Sequence, residues 1–312
     1  MKAAQIDRYG GTELIHVDPN APKPTVQVGQ VLVEVHAASL NPVDISVRAG
    51  HFQEMMPLQF PATVGGDFAG VVRELGDGVT DLKIGDEVYG QALVIMNGGS
   101  GSLAEYTAAQ SGKTGLKPKR VDMTEAASLP LVGTSAIQAI EEHIDLQSGQ
   151  KLFIQGGAGG IGSLAIQLAK LRGAYVAATV ATDDVEFAKS LGADEVIDYK
   201  TQDFRTVVKD YDAVFVTAFG TQDDSLKVLK KGGVLVSMVG PADEALAREL
   251  DVTVIPQMTQ TSTKQLTRLA ELIDNGNIKP QVEKVFPLDQ TKEAYEYFEK
   301  KHPRGKVVVT IN

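Results

Sequence analysis

The chain of 312 residues contains no cysteine and no tryptophan. Without cysteine it can form no disulfide and no thiolate zinc site, and it cannot use a cysteine nucleophile. Histidine is also scarce, and no two histidines stand four residues apart, so their spacing indicates no helical metal site. A site that combines distant histidines and carboxylates stays open. The five histidines are His16, His36, His51, His143 and His302.

Clustered positive charge is missing as well. The 30 Lys and Arg residues are outnumbered by 40 Asp and Glu residues, which gives a net charge of -10. Phosphate binding depends on clustered cations, so nucleic acid and anionic membranes are disfavoured as partners. The first residues, MKAAQIDRYG, form no apolar signal segment, and no apolar run has the length of a membrane span. We therefore expect a cytoplasmic protein that does not span a membrane.

The first third of the chain is predicted to be rich in β-strands. VLVEVHAA (31–38) and FAGVVREL (68–75) are β-branched runs, and KIGDEVYG (83–90) is typical of a turn that leads into a strand. The exception is a short helix predicted at 42–49. Glycine and aspartate separate the strands at short intervals, as in a small barrel or a folded sheet.

A regular alternation of strands and helices follows residue 123. KLFIQ (151–155) and the helix IGSLAIQLAKLRG (161–173) begin it, and five further apolar strands follow up to DVTVIPQ. Such an alternation predicts a doubly wound parallel sheet of six strands. Near residue 281 the pattern ends, and VVVTI close to the C-terminus can pair with the N-terminal sheet. We predict an α/β protein in which a dinucleotide-binding domain (123–280) interrupts a β-rich domain (1–122 and 281–312).

QGGAGGIGSLAIQLAK (155–170) is the most informative stretch. Gly157, Gly159 and Gly162 match the G-x-G-x-x-G fingerprint, directly after a strand and directly before a helix. The first glycine permits a tight turn, the second lets a pyrophosphate approach the backbone, and the third lets the helix pack closely on the strand. The N-terminus of the helix offers N–H groups to the anion. This context predicts dinucleotide binding.

The end of the second strand of this alternation bears on the choice of dinucleotide. NAD-specific enzymes place a carboxylate there to bind the ribose 2′-OH. AYVAATV instead ends near Thr179 and Thr182, whose hydroxyls suit a 2′-phosphate, although the threonines also fit strand propensity and helix capping. Asp183 and Asp184 follow at once, and no arginine is adjacent. We therefore predict NADPH, with NADH as a possible alternative.

Taken together, these segments resemble the medium-chain dehydrogenase/reductase superfamily, and within it the zinc-independent quinone oxidoreductase (zeta-crystallin-like) branch. The resemblance covers essentially the whole chain. It implies a GroES-like catalytic domain, a Rossmann domain, and a homodimer or homotetramer. The segments that carry it are, in order, MKAAQIDRYGG, SLNPVDISVRAG, VGGDFAGVV, GDEVYG, GSLAEY, PLVGTSA, GGAGGIG, LGADEVIDY and GKVVV.

The resemblance also makes the lack of metal ligands interpretable. Zinc-dependent members of the superfamily carry a cysteine where this chain has Asn41 and a histidine where it has Gly66, next to Asp67. They carry a four-cysteine lobe where this chain has only VIMNGGSGS. The resemblance therefore implies a reductase without zinc, and oxidation of simple alcohols, which needs a Lewis acid, is disfavoured.

The activity implied by the resemblance is hydride transfer from NADPH to a quinone or to an α,β-unsaturated carbonyl compound. Such acceptors are already electron-poor, so the protein mainly has to position the nicotinamide against them. Asn41 and Asp44 are the candidate positioning residues in the catalytic role, although Asp44 also suits helix capping. The implied cofactor-binding residues are Asn41, Thr134, Gly157, Ala158, Gly159, Gly160, Ile161, Thr179, Thr182, Tyr199, Ala218, Phe219, Val239 and Gly240.

Two departures from the family pattern keep alternatives open. Related 2-enoyl thioester reductases use a tyrosine as proton donor where this chain has Phe52, so that activity is disfavoured without being eliminated. A serine and a lysine that commonly grip the 2′-phosphate correspond here to Ala181 and Val185. A third possibility is a non-catalytic NADPH-binding protein, because no proton donor is evident. His51 is a tempting acid, but a single loop histidine is more often solvated.

Overall fold

Sixteen strands run through residues 1–94 and 99–311, the part of the chain that the computed structural model describes. Residues 95–98, inside the VIMNGGSGS segment, lie outside that part. The strands are β1 (Ala3–Ile6), β2 (His16–Asp18), β3 (Gln30–Ser39), β4 (Ala62–Thr63), β5 (Asp67–Leu75), β6 (Glu87–Gln91), β7 (Tyr106–Gln110), β8 (Thr114–Leu116), β9 (Lys151–Gln155), β10 (Tyr175–Val180), β11 (Glu195–Asp198), β12 (Tyr211–Val216), β13 (Leu229–Ser237), β14 (Thr253–Pro256), β15 (Val282–Pro287) and β16 (Lys306–Thr310).

Ten α-helices lie in the same described residues, and none of them is long and apolar enough to cross a bilayer. The helix predicted at 42–49 is present with those bounds, because Asn41 and Pro42 begin it and Gly50, in the left-handed conformation, ends it. The helices are α1 (Pro42–Ala49), α2 (Met123–Ala127), α3 (Pro130–Ile137), α4 (Gly160–Leu171), α5 (Val185–Ser190), α6 (Phe204–Val207), α7 (Gln222–Leu226), α8 (Glu244–Leu250), α9 (Thr263–Asp274) and α10 (Thr291–Lys301).

The chain divides into two compact units. Unit 1 comprises residues 1–134, 261–275 and 280–312, and unit 2 comprises residues 135–260 and 276–279. In unit 1 a seven-stranded sheet runs in the order β15-β16-β3-β5-β6-β8, with β7 also paired to β3, and a smaller sheet has the order β2-β1-β4. Strand β16 lies antiparallel to β3, with Val308 opposite Ser39. The predicted return of VVVTI to the N-terminal sheet is therefore confirmed.

Unit 2 contains the predicted six-stranded parallel sheet. Its order is β11-β10-β9-β12-β13-β14, and every neighbouring pair is parallel. This is the strand order of the doubly wound dinucleotide-binding fold. Phe153, Val214 and Leu235 on three neighbouring strands are fully buried in its core. The predicted fold class, a β-rich GroES-like part combined with a Rossmann sheet, is confirmed.

The compact units have different boundaries from those predicted after residues 122 and 280. Residues 123–134 and all of α9 belong to unit 1. Gly133 allows this packing, since a Cβ added there would lie 2.2 Å from Leu269 Cδ2 of α9. The hydroxyl of buried Tyr89 on β6 also donates a hydrogen bond to the carbonyl of Leu266 at 2.6 Å. Helix α9 continues the strand–helix alternation in sequence but packs on the β-rich unit.

Candidate functional site

The carboxyl edge of the parallel sheet in unit 2 collects most of the predicted cofactor residues. All strands of a parallel sheet end at one edge, and ligands bind where the strand order reverses, which is here between β9 and β12. Neighbouring strands lie about 4.8 Å apart, so the edge from β11 to β13 extends over roughly 19 Å. The predicted residues at or after these strand ends are Thr179, Thr182, Tyr199, Ala218, Phe219, Val239 and Gly240.

The glycine loop between β9 and α4 divides its tasks differently from the prediction. The tight turn falls on Gly156, whose φ of 86° is left-handed, one residue before the fingerprint begins. Gly157 is instead required for packing, because a Cβ there would lie 2.8 Å from Ala178 Cβ. At Gly162 a Cβ would lie 2.1 Å from the carbonyl oxygen of Gly156. The third glycine thus lets α4 pack closely on the turn that follows β9.

The second glycine of the fingerprint leaves the surface of the loop open. A Cβ added to Gly159 would meet only the carbonyl oxygen of Gly156, at 3.7 Å. Gly159 also caps α4, so Gly160 and Ile161 occupy the first helical positions, where backbone N–H groups lack intrahelical partners. Together with Ala158 these residues form an uncrowded helix N-terminus of the kind that binds a pyrophosphate. The residues present therefore fit a dinucleotide.

Thr179 lies underneath this loop. It is only 3% exposed, and its hydroxyl donates a hydrogen bond of 2.6 Å to the side-chain carbonyl of Gln155. The same hydroxyl accepts the N–H of Gly156 at 3.1 Å. Thr179 therefore stabilises the turn of the glycine loop. Its hydroxyl proton already has an acceptor, the side chain of Gln155.

Thr182 and Tyr199 mark the side of the edge at β10 and β11. The hydroxyl of Thr182 donates to the Asp198 carboxylate at 2.8 Å, and the same carboxylate accepts the N–H of Lys200 at 2.9 Å. Tyr199 is exposed, and the ammonium nitrogen of Lys200 lies 4.9 Å from its ring centroid. Lys200, which was not among the predicted residues, therefore places a positive charge beside Tyr199 at the end of β11.

The other side of the edge is formed by the segments that follow β12 and β13. Phe219 is 81% exposed, and Ala218 beside it is half-buried. The Gln222 side chain donates a hydrogen bond of 3.1 Å to the carbonyl oxygen of Val239, which joins the two segments. Gly240 has a left-handed φ of 106° and open space around it. An aromatic and apolar surface therefore lies on the β12 and β13 side of the switch point.

In unit 1 the predicted residue Asn41 is the centre of a buried polar network. It is 1% exposed, and its amide group has partners on both sides. Its Nδ2 donates to the Asp67 carboxylate at 2.9 Å, and its Oδ1 accepts a hydrogen bond from the Lys306 ammonium. The Asn41 backbone N–H donates to the Asp44 carboxyl group at 2.7 Å. Asp44 thus caps α1, as its alternative interpretation predicted.

Burial strongly affects the ionisation of the two acidic residues in this network. The pKa of Asp44 is raised from 3.8 to about 7, mainly by desolvation and to a smaller extent by repulsion from Asp67. Burial likewise raises the pKa of Asp67, although the Lys306 ammonium acts in the opposite direction. The pKa of Lys306 is lowered by burial, against the attraction of both carboxylates. Asp44 therefore keeps its proton to a higher pH than an exposed carboxyl group would.

Thr134 is connected to the same network through the backbone of α3. It is fully buried, and its hydroxyl donates to the carbonyl oxygen of Pro130 at 2.7 Å. The N–H of Leu131, in the same helical turn, donates to the Asp67 carboxylate at 3.2 Å. The structure thus places Asn41, Asp44 and Thr134 in one region of unit 1, where Asp67 accepts hydrogen bonds from Asn41 and from the turn of α3 that precedes Thr134.

The segment after α1 contains no further polar residue of this network. His51 is exposed, in agreement with its interpretation as a solvated loop residue, and Phe52 is half-buried in the turn. Gly66 offers little room for a larger ligand, because a Cβ there would lie 3.2 Å from Leu93 Cδ1 and 3.3 Å from Asp44 Oδ1. Among residues 1–94 and 99–311, no group of three His, Cys, Asp or Glu side chains could hold a metal ion.

The cations Lys306 and Lys200 were not among the predicted site residues. A signal for Lys306 was present, because a lysine directly before the apolar run VVVT of a predicted strand is an unusual place for a charge. Lys200 follows the predicted strand EVIDY directly, and the carboxyl end of a parallel strand is where ligands bind. Both signals are weak until the partners of the side chains are known.

Two family models match the chain. The model described as Alcohol dehydrogenase GroES-like domain matches residues 27–119, and the model described as Zinc-binding dehydrogenase matches residues 191–309. The first match lies in unit 1, and the second begins in unit 2 and continues through α9 to β16. Each of the two parts of the predicted fold is therefore matched by a family model of its own.

Individual relatives resemble the chain over nearly its whole length. A chloroplastic NADPH-dependent alkenal/one oxidoreductase from Arabidopsis thaliana is 39% identical, over 99% of this chain and 79% of the relative. A 2-methylene-furan-3-one reductase from Solanum lycopersicum is 37% identical, with the same shares covered. Among solved structures, the quinone oxidoreductase from Coxiella burnetii is 30% identical with a TM-score of 0.88, and covers 100% of this chain and 99% of its own. These similarities show that the chain belongs to the medium-chain dehydrogenase/reductase superfamily, in its quinone oxidoreductase branch.

Proposed function

We propose that the protein is an NADPH-dependent reductase that transfers a hydride to a quinone or to an α,β-unsaturated carbonyl compound. The observation that carries this proposal is the open glycine loop at the switch point of the parallel sheet, where Gly159 and the first turn of α4 present N–H groups to an anion. The names of the relatives support the choice of acceptor, since they include an alkenal/one oxidoreductase and a quinone oxidoreductase.

The tasks of the protein in this reaction are binding and orientation. When bound, NADPH supplies the hydride from C4 of its nicotinamide ring. Gly159, Gly160 and Ile161 would bind the pyrophosphate, and Phe219 with Val239 would provide an apolar surface for the nicotinamide half. Asn41 and Thr134 are the residues that the family resemblance assigns to the nicotinamide side. An enone would take up this hydride at its β-carbon and a proton from water or a nearby donor at its α-carbon, which would give the saturated carbonyl compound and NADP⁺.

The preference for NADPH over NADH is a second part of the proposal. The hydroxyl protons of Thr179 and Thr182 are already donated to Gln155 and Asp198, so these threonines cannot also donate to a 2′-phosphate. Lys200 is exposed beside Tyr199, and its ammonium group is the cation that we assign to the 2′-phosphate of NADPH. A mycobacterial protein solved with NADPH supports this choice, with 25% identity, a TM-score of 0.88 and full coverage of both chains.

Zinc is not required for the proposed reaction. The chain has no cysteine, and Asn41 and Gly66 stand where zinc-dependent members of the superfamily carry two of their ligands. Quinones and conjugated carbonyls accept a hydride without a Lewis acid, because their own electron-withdrawing groups delocalise the charge. We therefore infer that the purified protein keeps its activity after treatment with a chelator.

The proposed function is tested by a panel of acceptors. We expect oxidation of NADPH, followed by the loss of its absorbance, with a benzoquinone, a naphthoquinone or a small enone. Turnover with a crotonyl thioester alone would identify a 2-enoyl thioester reductase and contradict the proposal. Binding of NADPH without consumption across the panel would identify a non-catalytic binding protein. Equal use of NADH and NADPH would contradict the proposed cofactor preference.

A further inference from the structure

Lys306 is a buried cation that the proposed reaction does not use directly. It is the first residue of β16 and is only 3% exposed. Its ammonium group donates hydrogen bonds to the backbone carbonyl of Leu40 and to the side-chain Oδ1 of Asn41. Both acceptors directly precede α1. One cation on the last strand therefore binds the segment that enters the first helix.

These contacts leave the Asn41 amide only one orientation. Its Oδ1 faces a donor, Lys306, and its Nδ2 faces an acceptor, the Asp67 carboxylate at 2.9 Å. A flipped amide would place NH₂ against the ammonium and a carbonyl oxygen against the carboxylate, and both contacts would be repulsive. The charges of Lys306 and Asp67 thus select one rotamer of the intervening side chain.

The same network reaches the first turn of α3. The Asp67 carboxylate that accepts from Asn41 also accepts the N–H of Leu131, at 3.2 Å. Leu131 lies one turn before Thr134, the other predicted nicotinamide-side residue of unit 1. Lys306, Asn41 and Asp67 therefore connect the start of α1, the start of β5 and the start of α3.

Burial of a charged pair costs free energy, because both groups lose their hydration. Desolvation of an ammonium and a carboxylate commonly offsets their attraction, and apolar residues of similar size often serve stability as well or better. The geometry of the network provides what apolar side chains would not, namely directional donors and acceptors on both sides of Asn41. The hydrogen bonds of Lys306 and Asp67 thus orient the Asn41 amide in addition to any effect on stability.

We propose that Lys306 is a positioning residue, which holds the Asn41 amide and, through Asp67, the first turn of α3 in the arrangement that receives the nicotinamide half of the cofactor. This inference rests on the proposed function, because Asn41 and Thr134 are placed beside the nicotinamide there. Lys306 acts through these residues and does not touch the reacting atoms.

The test compares binding of two ligands to paired variants. Lys306→Met alone leaves the Asp67 carboxylate buried without its cation, so it is paired with Asp67→Asn, which removes both charges and keeps an acceptor for Asn41 Nδ2. By titration calorimetry we expect the double variant to bind NADPH about tenfold more weakly. Its affinity for the 2′-phosphorylated adenosine fragment of NADPH, which lacks the nicotinamide, should stay within about twofold of the original value.

Lys117→Met is the matched control. Lys117 is another lysine of unit 1 whose side chain is largely buried, and it pairs with Glu87 and donates to the carbonyl oxygens of Pro118 and Val121 instead of Asn41. We expect this variant to leave the ratio of the two affinities unchanged. An equal loss of both affinities in the double variant, or no loss of either, would overturn the positioning role.

Activity gives an independent readout. We expect kcat of the double variant to fall at least about tenfold, and this effect to shrink to within about twofold when Asn41 is already replaced by alanine. Full, additive loss in the Asn41→Ala background would contradict an action through Asn41. If the unmodified protein binds NADPH but consumes none, the proposed function fails, while the comparison of the two ligands still decides the positioning role.

Discussion

At the scale of single residues, Asp44 links the buried network to pH. Its carboxyl group is 2% exposed at the N-terminus of α1, and burial raises its pKa to about 7. Between about pH 4 and pH 7, the folded protein therefore keeps a proton that the unfolded chain has already lost. The contribution of Asp44 to stability is complete at low pH and disappears as the pH rises through about 7.

The first prediction follows from the raised pKa of Asp44, which makes the folded protein less stable as the pH rises. The free energy of unfolding should fall by on the order of 1 kcal/mol per pH unit between about pH 5 and pH 7 because of Asp44, with Asp67 and Lys306 as its charged neighbours. Asp44→Asn cannot ionise but can still accept the Asn41 N–H, so it should flatten this dependence. Urea unfolding at several pH values measures the effect, and an unchanged pH dependence in the variant would contradict the assignment.

The second prediction concerns Lys200 and the 2′-phosphate. Lys200→Glu replaces a cation with an anion at the end of β11 and should raise the KM for NADPH about tenfold, because charge-assisted hydrogen bonds to phosphate are lost. The KM for NADH should change by less than about twofold. Lys231→Glu is the control, since Lys231 lies toward the opposite end of β13 and is 81% exposed. Parallel changes for both cofactors would refute a role in 2′-phosphate binding.

The limits of prediction from sequence are clearest for single side chains. Thr179 and Thr182 were selected because a hydroxyl can donate to a phosphate, yet their protons are donated to Gln155 and Asp198. Both partners are distant in sequence, and only the pairing of β9, β10 and β11 brings them near. The role of a polar residue depends on such partners, which neither spacing nor composition contains.

At the scale of elements, the glycine loop gives the third prediction. Gly162→Ala should destabilise the protein by about 1–3 kcal/mol, because its Cβ would overlap the Gly156 carbonyl oxygen at 2.1 Å. Gly159→Ala should leave the melting temperature nearly unchanged, because that position has space. It should nevertheless weaken NADPH binding about tenfold, since the added methyl group would enter the proposed pyrophosphate site.

Thermal unfolding and a binding titration on the same two variants separate packing from ligand contact. Normal NADPH affinity in a stable Gly159→Ala protein would contradict the proposed pyrophosphate site. A fully stable Gly162→Ala protein would contradict the packing role assigned to the third glycine. The two glycines stand three residues apart in one fingerprint, so the comparison tests two different physical tasks.

Most elements were predictable because their patterns are local. The six strands of unit 2 are short apolar runs between helices, and α1 is framed by Asn41 with Pro42 and by Gly50. The assignment of α9 to a unit was not predictable in this way. Its amphipathic pattern would suit either unit, and contacts of Leu266 and Leu269 with Tyr89 and Gly133 decide its place.

At the scale of the whole molecule, the proposed reaction assigns binding and orientation to the chain and the reactive atom to the cofactor. The segment ASLNPVDISVRAGHF, with its many polar residues, illustrates this division. Asn41 and Asp44 serve a buried network, and Arg48 is held by Glu299 and the Gly10 carbonyl. We also propose, from the family, a homodimer or homotetramer, which light scattering on the purified protein tests directly.

The most direct test of the proposed function is the fate of the hydride itself. Purified protein is given a small enone and NADPH that carries deuterium at the transferable position of C4, and the product is analysed by mass spectrometry and NMR. We predict one deuterium on the β-carbon of the saturated product for each NADPH oxidised, with hydrogen from water on the α-carbon. A product without deuterium, or NADPH that stays unoxidised with the enone and with a quinone, would contradict hydride transfer as the function of this protein.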